Sequence, residues 1–236
     1  MGEIALPSGY LAGYPAGYLA VLGDVVRSRE HADRQDLQRE LRDALDLANS
    51  RAAAVQPLAL TIGDEFQGLY ENLADALEAT LSIRLSLHRR ADVRFGIGWG
   101  PLTTYDEDRA PFEQDGPAWW AAREAIERVR TMVHQREMPR GVRSVLVTDG
   151  AADPGANPSA RQVEGLVNAF LLCRDELVAS MSARDAETMR YLLEGESPSV
   201  IAERQGVSLS AVSQRAIRSG LYALRAAQRE LEEAFR

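Results

Sequence analysis

Short apolar runs separated by glycine-containing breaks characterise the first 150 residues of this chain. Leu58, Leu60 and Ile62 alternate with other residues before the break at Gly63-Asp64, and apolar character returns after it, which predicts a β-hairpin. Similar runs bounded by Gly or Asp predict three further strands. The predicted strand segments are 18–22, the hairpin 58–70, 92–102 and 142–148.

Apolar residues spaced three to four positions apart predict helices between these strands. One helix covers 33–54, a second follows the capping residue Asn72, and a third covers 117–135 after Asp115-Gly-Pro. The strand 92–102 contains glycines, which weaken a strand unless another part of the molecule approaches its backbone closely. About fifteen polar and charged residues between this strand and the third helix are predicted to form a long loop.

The pattern beyond Val163 is helical only. It predicts a helix at 165–180, a helix starting near Ser182, a short helix at 199–205 ended by Gly206, and a last helix that runs to Phe235. The chain is therefore predicted to consist of an α/β domain at 1–160 and a helical tail at 161–236. Residues 1–16, rich in Gly, Pro and Tyr, are expected to form an arm.

Composition narrows the possible chemistry. The chain has 236 residues and a net charge of −8, and all 27 basic residues are Arg. The absence of Lys excludes a Schiff-base lysine and a Walker Gly-Lys-Ser/Thr motif. The single Cys173 excludes an intramolecular disulfide and a cysteine metal cluster, and three scattered His argue against zinc. Without an apolar run of membrane-spanning length or a signal peptide, we expect a cytoplasmic protein.

Two aspartates are the candidate metal ligands. Asp24 and Asp64 each follow a Gly at the end of an apolar run, so they are expected at the ends of neighbouring strands. Such a pair suits Mg²⁺ or Mn²⁺ together with phosphate oxygens, although Gly-Asp is also ordinary turn chemistry. The turn after the first strand could bind a phosphate through backbone N–H groups and arginine side chains. Its residues are Val25, Val26, Arg27, Ser28 and Arg29.

Four motifs lie in the strands, the hairpin and the start of the third helix: Gly23-Asp24, Gly63-Asp-Glu-Phe-Gln-Gly68, Arg94-Phe-Gly-Ile-Gly98, and Asp115-Gly-Pro-Ala118 with Ala122-Arg123. Together they resemble the SatD family of bacterial proteins, over most of the chain. The same segments resemble, more distantly, class III nucleotide cyclases and diguanylate cyclases. The resemblance implies a ferredoxin-like βαββαβ palm domain, two metal ions on Asp24 and Asp64, a bound nucleotide, and a transition-state arginine at Arg123. It also implies a homodimer, with Trp99, Trp119 and Trp120 as candidates for its surface.

Two positions depart from the cyclase pattern. Leu60 stands where cyclases have a purine-reading lysine, and Trp119 stands where they have an asparagine. These differences favour nucleotide or metal binding over cyclase catalysis, which in addition needs positive charge directed at the transition state.

The tail follows a helix-turn-helix pattern over 188–215. Ala202 is expected where the two helices cross, Gly206 at the turn, and Val207 and Val212 inside. This part resembles region four of sigma factors and LuxR-type DNA-binding domains, and a helical protein-interaction module is the alternative. The residues expected to face the major groove or phosphates are Ser208, Ser210, Ala211, Ser213, Gln214, Arg215 and Arg218.

These features lead to two functional hypotheses of different classes. The first is a DNA-binding regulatory protein with a cyclase-like domain that senses a nucleotide or a metal. The second is a metal-dependent nucleotide cyclase or related phosphoryl transferase regulated by its helical tail. A dimeric scaffold without either activity is a third possibility.

Overall fold

A computed structural model describes residues 17–31, 33–106, 113–149 and 158–235. In this part the chain has a mixed α/β fold with a five-stranded sheet, a two-stranded ribbon and eight α-helices. The strands are β1 (Tyr18–Val25), β2 (Gln56–Leu60), β3 (Phe66–Tyr70), β4 (Val93–Gly100), β5 (Thr103–Asp106), β6 (Glu113–Asp115) and β7 (Ser144–Thr148). The helices are α1 (Arg34–Arg51), α2 (Leu73–Ser86), α3 (Pro117–Met132), α4 (Pro158–Ser180), α5 (Ala183–Leu193), α6 (Pro198–Gln205), α7 (Leu209–Arg218) and α8 (Leu221–Phe235).

The main sheet has the order β2-β3-β1-β4-β7. β1 is central and runs antiparallel to both β3 and β4, whereas β7 is parallel to β4. The predicted hairpin is confirmed as the antiparallel pair β2–β3. The elements β1, α1, β2, β3, α2 and β4 follow one another in a βαββαβ order.

Alternate side chains of β1 enter two different cores, as the two-residue period of a strand requires. Leu19 and Val21 pack in the larger cluster with residues of α1, α2 and α4. Ala20 and Leu22 pack in a smaller cluster with Ala118 and other residues of α3. The sheet therefore separates a thick helical layer on one face from α3 on the other.

The glycines of β4 are explained by the close approach of α3. A Cβ atom added to Gly98 would lie 2.1 Å from the carbonyl oxygen of Ala118 and 2.2 Å from the backbone nitrogen of Ala122. A Cβ atom on Gly96 would lie 2.2 Å from the carbonyl oxygen of Ala122. This confirms that another backbone approaches the strand, and it shows that a helix of the same chain does so.

The tail helices pack against the α/β part. Leu81 and Leu85 of α2 belong to the same buried cluster as residues of α5, α6, α7 and α8. At the end of the tail, the ring of Phe235 meets Trp99 edge-on, with 6.2 Å between ring centroids. Trp99 is only 7% exposed, so its expected place on a dimer surface is wrong.

Three other sequence predictions need correction. The expected last helix is two helices, because Gly220 adopts a φ of +67° between α7 and α8 and interrupts the helical backbone. The predicted loop after β4 contains the paired strands β5 and β6. α4 begins at Pro158, before the predicted start at Gly165.

The predicted arm 1–16 lies outside the described residues. None of the described helices is long and apolar enough to cross a membrane.

Candidate functional site

The carboxylate of Asp24, at the end of β1, is held by two arginines. Arg94 donates from Nε to Oδ1 at 2.8 Å and from Nη2 to Oδ2 at 3.1 Å. Arg130 donates from Nη2 to Oδ2 at 2.6 Å. The Asp24 side chain is only 6% exposed. A buried carboxylate is thus neutralised by two guanidinium groups at one end of the sheet.

The fold explains why these three side chains meet. Asp24 is the register partner of Arg94 across the β1–β4 pair. Arg130 lies in the last turn of α3, which crosses the same face of the sheet, and it also pairs with Glu127. The hydrogen bond to Asp24 raises the pKa of the Arg130 guanidinium, and this effect exceeds the lowering by desolvation. Arg130 therefore stays protonated and oriented toward Asp24.

The turn that carries Asp64 lies at the same end of the sheet. The last residue pair of the antiparallel strands β1 and β3 is Gly23 with Phe66, so Asp24, the next residue of β1, and the 62–65 turn, which precedes β3, lie at the same end of neighbouring strands. Gly63 adopts a φ of +68°, and its carbonyl oxygen accepts a hydrogen bond of 2.7 Å from Gln38. Asp64 itself is half-buried. Both predicted aspartates thus lie at the same end of the sheet.

Arg123 lies on an exposed turn of α3, with its Nη1 4.0 Å from Oε2 of Glu65. It shares a helix face with Glu127 and Arg130, which follow at positions i+4 and i+7. The sequence analysis predicted neither Arg130 nor Arg94 as a partner of Asp24. The spacing of seven between Arg123 and Arg130 signals a shared helix face, because two helical turns return to the same face, but it does not signal the contact with Asp24.

As arranged, these residues do not fit a divalent cation. Both oxygens of Asp24 already accept hydrogen bonds from arginine, and an ion would have to displace at least one guanidinium group. Within the described part of the chain, no three His, Cys, Asp or Glu side chains form a group that could hold a metal ion. The metal site on Asp24 and Asp64 stays a prediction.

The turn after β1 is only partly available to a phosphate. The backbone N–H of Val26 donates to the carbonyl oxygen of Asp92 at 2.7 Å, so this donor is occupied. Arg27 adopts a left-handed conformation with a φ of 55° before a short 3-10 helix at Ser28–Glu30. Val25 and Ser28 are buried, while the side chains of Arg27 and Arg29 point into solvent.

The helices α6 and α7 are joined by a tight turn at Gly206. Ser197 and Ser208 cap the two helices, each by accepting a backbone N–H at the N-terminus. Gly206 has a φ of +63°, which glycine adopts without strain, and it ends α6. Gly206 thus makes the predicted turn, Val212 is buried as predicted, and Val207 is half-buried against the same cluster. Ala202, predicted at the crossing of the two helices, is buried in that cluster too.

The residues predicted to contact DNA differ in accessibility. Ser210, Gln214 and Arg218 are exposed on α7, while Ala211 and Ser213 are half-buried. Ser208 uses its hydroxyl oxygen to cap α7. The guanidinium of Arg215 donates to Oε1 of Gln205 at 2.8 Å and is held against α6. Arg215 is therefore less available to DNA than the exposed Arg218. The apolar side chains of Leu209 and Ile217 are also exposed on this helix.

A comparison with known protein families gives one match. The family model described as SatD family matches residues 18–231, which include the sheet, both helical layers and most of the tail. No curated protein matches the chain.

Proposed function

The chain belongs to the SatD family, and we propose that it is a DNA-binding regulatory protein. In this proposal α7 enters the major groove, and α6 crosses behind it. The observation that carries the proposal is the α6–Gly206–α7 unit, in which Ala202 and Val212 are buried and Ser210, Gln214 and Arg218 are exposed on the outward face of α7.

The charge and side-chain types of α7 support this role. Its only charged residues are Arg215 and Arg218, so the helix is locally basic on a chain with a net charge of −8. Gln214 and Arg218 are exposed and are the side-chain types that pair with adenine and guanine edges. Arg215, fixed to Gln205, is better placed to orient α7 on the backbone of DNA than to read a base.

A single helix-turn-helix buries little surface on DNA, so we propose that the protein acts as a homodimer. Two copies of α7 would then read half-sites about one helical turn apart. Trp120, which is 61% exposed, is the tryptophan that remains available for such an interface. Trp119 is half-buried and packs against the α3 side of the core.

The α/β part is proposed to act as the sensing domain, with a palm-type fold like that of nucleotide cyclases. Its βαββαβ order supports this assignment. The guanidinium groups of Arg94 and Arg130 are of the kind that binds phosphate groups, and a phosphate would compete with Asp24 for them. A metal-dependent cyclase or phosphoryl transferase is the alternative, and it would require the pairs that Asp24 makes with Arg94 and Arg130 to open.

DNA binding is tested with labelled genomic fragments and the purified full chain, at low and at physiological salt. We expect retained fragments to share a half-site. Arg218→Ala is expected to weaken specific binding by about 1–3 kcal/mol if the side chain reads a guanine. If the Arg218 side chain contacts only phosphate, the variant should bind all DNA sequences equally more weakly, and its affinity should depend less on salt. Arg136→Ala removes the same charge from an exposed segment of the α/β part and serves as the control.

Two outcomes would contradict the proposal. Retention of no fragment at low salt, with or without nucleotides, would identify the tail as a protein-interaction module. Equal binding by Arg218→Ala and the control would contradict the contact of Arg218 with DNA and the orientation of α7 that it supports. Incubation with each nucleoside triphosphate and Mg²⁺ or Mn²⁺, followed by mass spectrometry, separates the enzyme alternative, because only an enzyme yields product.

A further inference from the structure

A polar groove of about 450 Å³ lies between α2 and α8, away from Asp24 and from α7. Its remaining walls come from Arg51 at the end of α1 and from Leu193 and Glu194 at the end of α5. The volume is within the range of small-molecule sites in proteins. The groove therefore lies where the tail packs on the α/β part.

Gln228 of α8 lines this groove and is unusual among its residues. It is only 1% exposed, yet neither its Nε2 nor its Oε1 has a hydrogen-bond partner within the described part of the chain. A buried amide without partners is costly, and most buried polar groups are satisfied. Gln228 thus presents an amide NH2 group as donor and a carbonyl oxygen as acceptor for a bound group.

Charges of opposite sign face each other across the groove. α8 contributes Arg225 and Arg229, which are one turn apart, together with Glu232, and α2 contributes Asp75 and Glu78. Within the described residues, neither arginine has a carboxylate oxygen within 4.0 Å. Although Glu232 offsets one of the two positive charges of α8, that wall keeps a net charge opposite to that of the α2 wall, and the two adjacent arginines repel each other.

The acidic wall is partly compensated. Arg51 pairs with Glu78 at 2.8 Å and with Glu194 at 3.7 Å. Asp75 accepts a hydrogen bond of 2.7 Å from Asn72, at the start of α2. Arg51 is thus shared by two carboxylates, so the acidic wall keeps excess negative charge that can bind a further cation.

We propose that the groove binds a free α-amino acid as a zwitterion. Its carboxylate would contact Arg225 and Arg229, and its ammonium group would contact Asp75 and Glu78. A simple anion would meet the acidic wall and a simple cation the basic wall, so a molecule with both charges fits best. Gln228 would pair with the polar atoms between the two charges.

The test is the melting temperature of the full chain with each common L-amino acid, measured by differential scanning fluorimetry. We expect at least one amino acid to raise the melting temperature at saturating concentration, because a ligand that binds only the folded state stabilises it. The N-acetyl derivative and the amide of that amino acid each lack one charge and should give no shift. Gln228→Leu should abolish the shift. Arg229→Ala should weaken the apparent affinity at least about tenfold, as expected for loss of a charge-assisted contact.

Gln135→Leu is the matched control, because Gln135 is exposed and lies outside the groove. It should respond like the wild-type chain. If Gln228→Leu does not fold, Arg229→Ala carries the test, since Arg229 is exposed and its truncation leaves the core intact. The proposal is overturned if no amino acid shifts the wild-type chain, if the N-acetyl derivative shifts it equally, or if the shift persists in both groove variants.

Discussion

Replacing Asp24 by Asn tests whether the carboxylate at the end of β1 is a structural centre. The substitution keeps the size of the side chain but removes its charge. One amide oxygen can still accept a hydrogen bond, whereas the amide nitrogen faces Arg94 or Arg130, which are donors only. We therefore expect Asp24→Asn to lower the free energy of unfolding.

The expected loss is about 2 kcal/mol. Removing one member of a fully buried ion pair costs about 3–5 kcal/mol, because the remaining charge is left without a partner. Here the side chain of Arg94 is 19% exposed and that of Arg130 is 34% exposed, so water compensates part of the loss. For a chain of this size, about 2 kcal/mol corresponds to a fall of about 4–8 °C in melting temperature.

The assay is urea denaturation followed by circular dichroism, with Asp64→Asn as the control. The Asp64 side chain accepts no hydrogen bond from any described residue, so its substitution should change stability by no more than about 0.5 kcal/mol. A double-mutant cycle with Arg130→Gln should give a coupling energy that differs from zero. Equal effects of the two Asn substitutions would refute the structural role. A rise in melting temperature with MgCl₂, at matched ionic strength, that Asp64→Asn removes would instead support the metal site.

Two further predictions concern packing and helix capping. Gly98→Ala should cost about 3 kcal/mol or more, since its Cβ atom would meet backbone atoms of α3. In Gly165→Ala nothing lies within 4 Å of the added Cβ atom, so this variant should be more stable by about 0.5–1 kcal/mol. Urea denaturation of the two variants measures both changes. Burial raises the pKa of Asp185, but hydrogen bonds from Ser182 and Ser219 outweigh it and hold the pKa below its usual value. Asp185→Ala should therefore cost about 1 kcal/mol near neutral pH. The difference from wild type should shrink as the pH falls below about 4 and on through the lowered pKa of the folded chain, because the carboxylate is protonated first in the unfolded chain and only at lower pH in the folded chain. A difference that stays constant with pH would contradict this.

The local pattern of the sequence was sufficient for most elements. Alternating apolar residues around Gly63-Asp64 predicted the hairpin, and Asn72 was correctly identified as the cap of α2. Such features depend on neighbours a few positions away, which is why a single sequence reveals them. The glycines of β4 also indicated a close backbone contact, although not that α3 provides it.

The features that the sequence did not predict depend on contacts between residues far apart in the chain. Trp99 was assigned to a surface because aromatic residues favour interfaces, yet they are equally common in cores. The last helix was predicted to run through Gly220 to Phe235, whereas Gly220 lies between α7 and α8 with a positive φ. The meeting of Arg130 with Asp24 depends on how α3 crosses the sheet, which no local pattern contains.

The helix α2 links the proposed sensing and DNA-binding parts of the molecule. Its first half carries Asp75 and Glu78 on the groove, and its second half places Leu81 and Leu85 in the core of the tail. The opposite wall is α8, which joins α7 directly at Gly220. A ligand that draws α8 toward α2 therefore acts on a helix that only the short turn at Gly220 separates from the proposed recognition helix. A signal in this molecule needs no flexible linker, because the two parts already share one buried cluster.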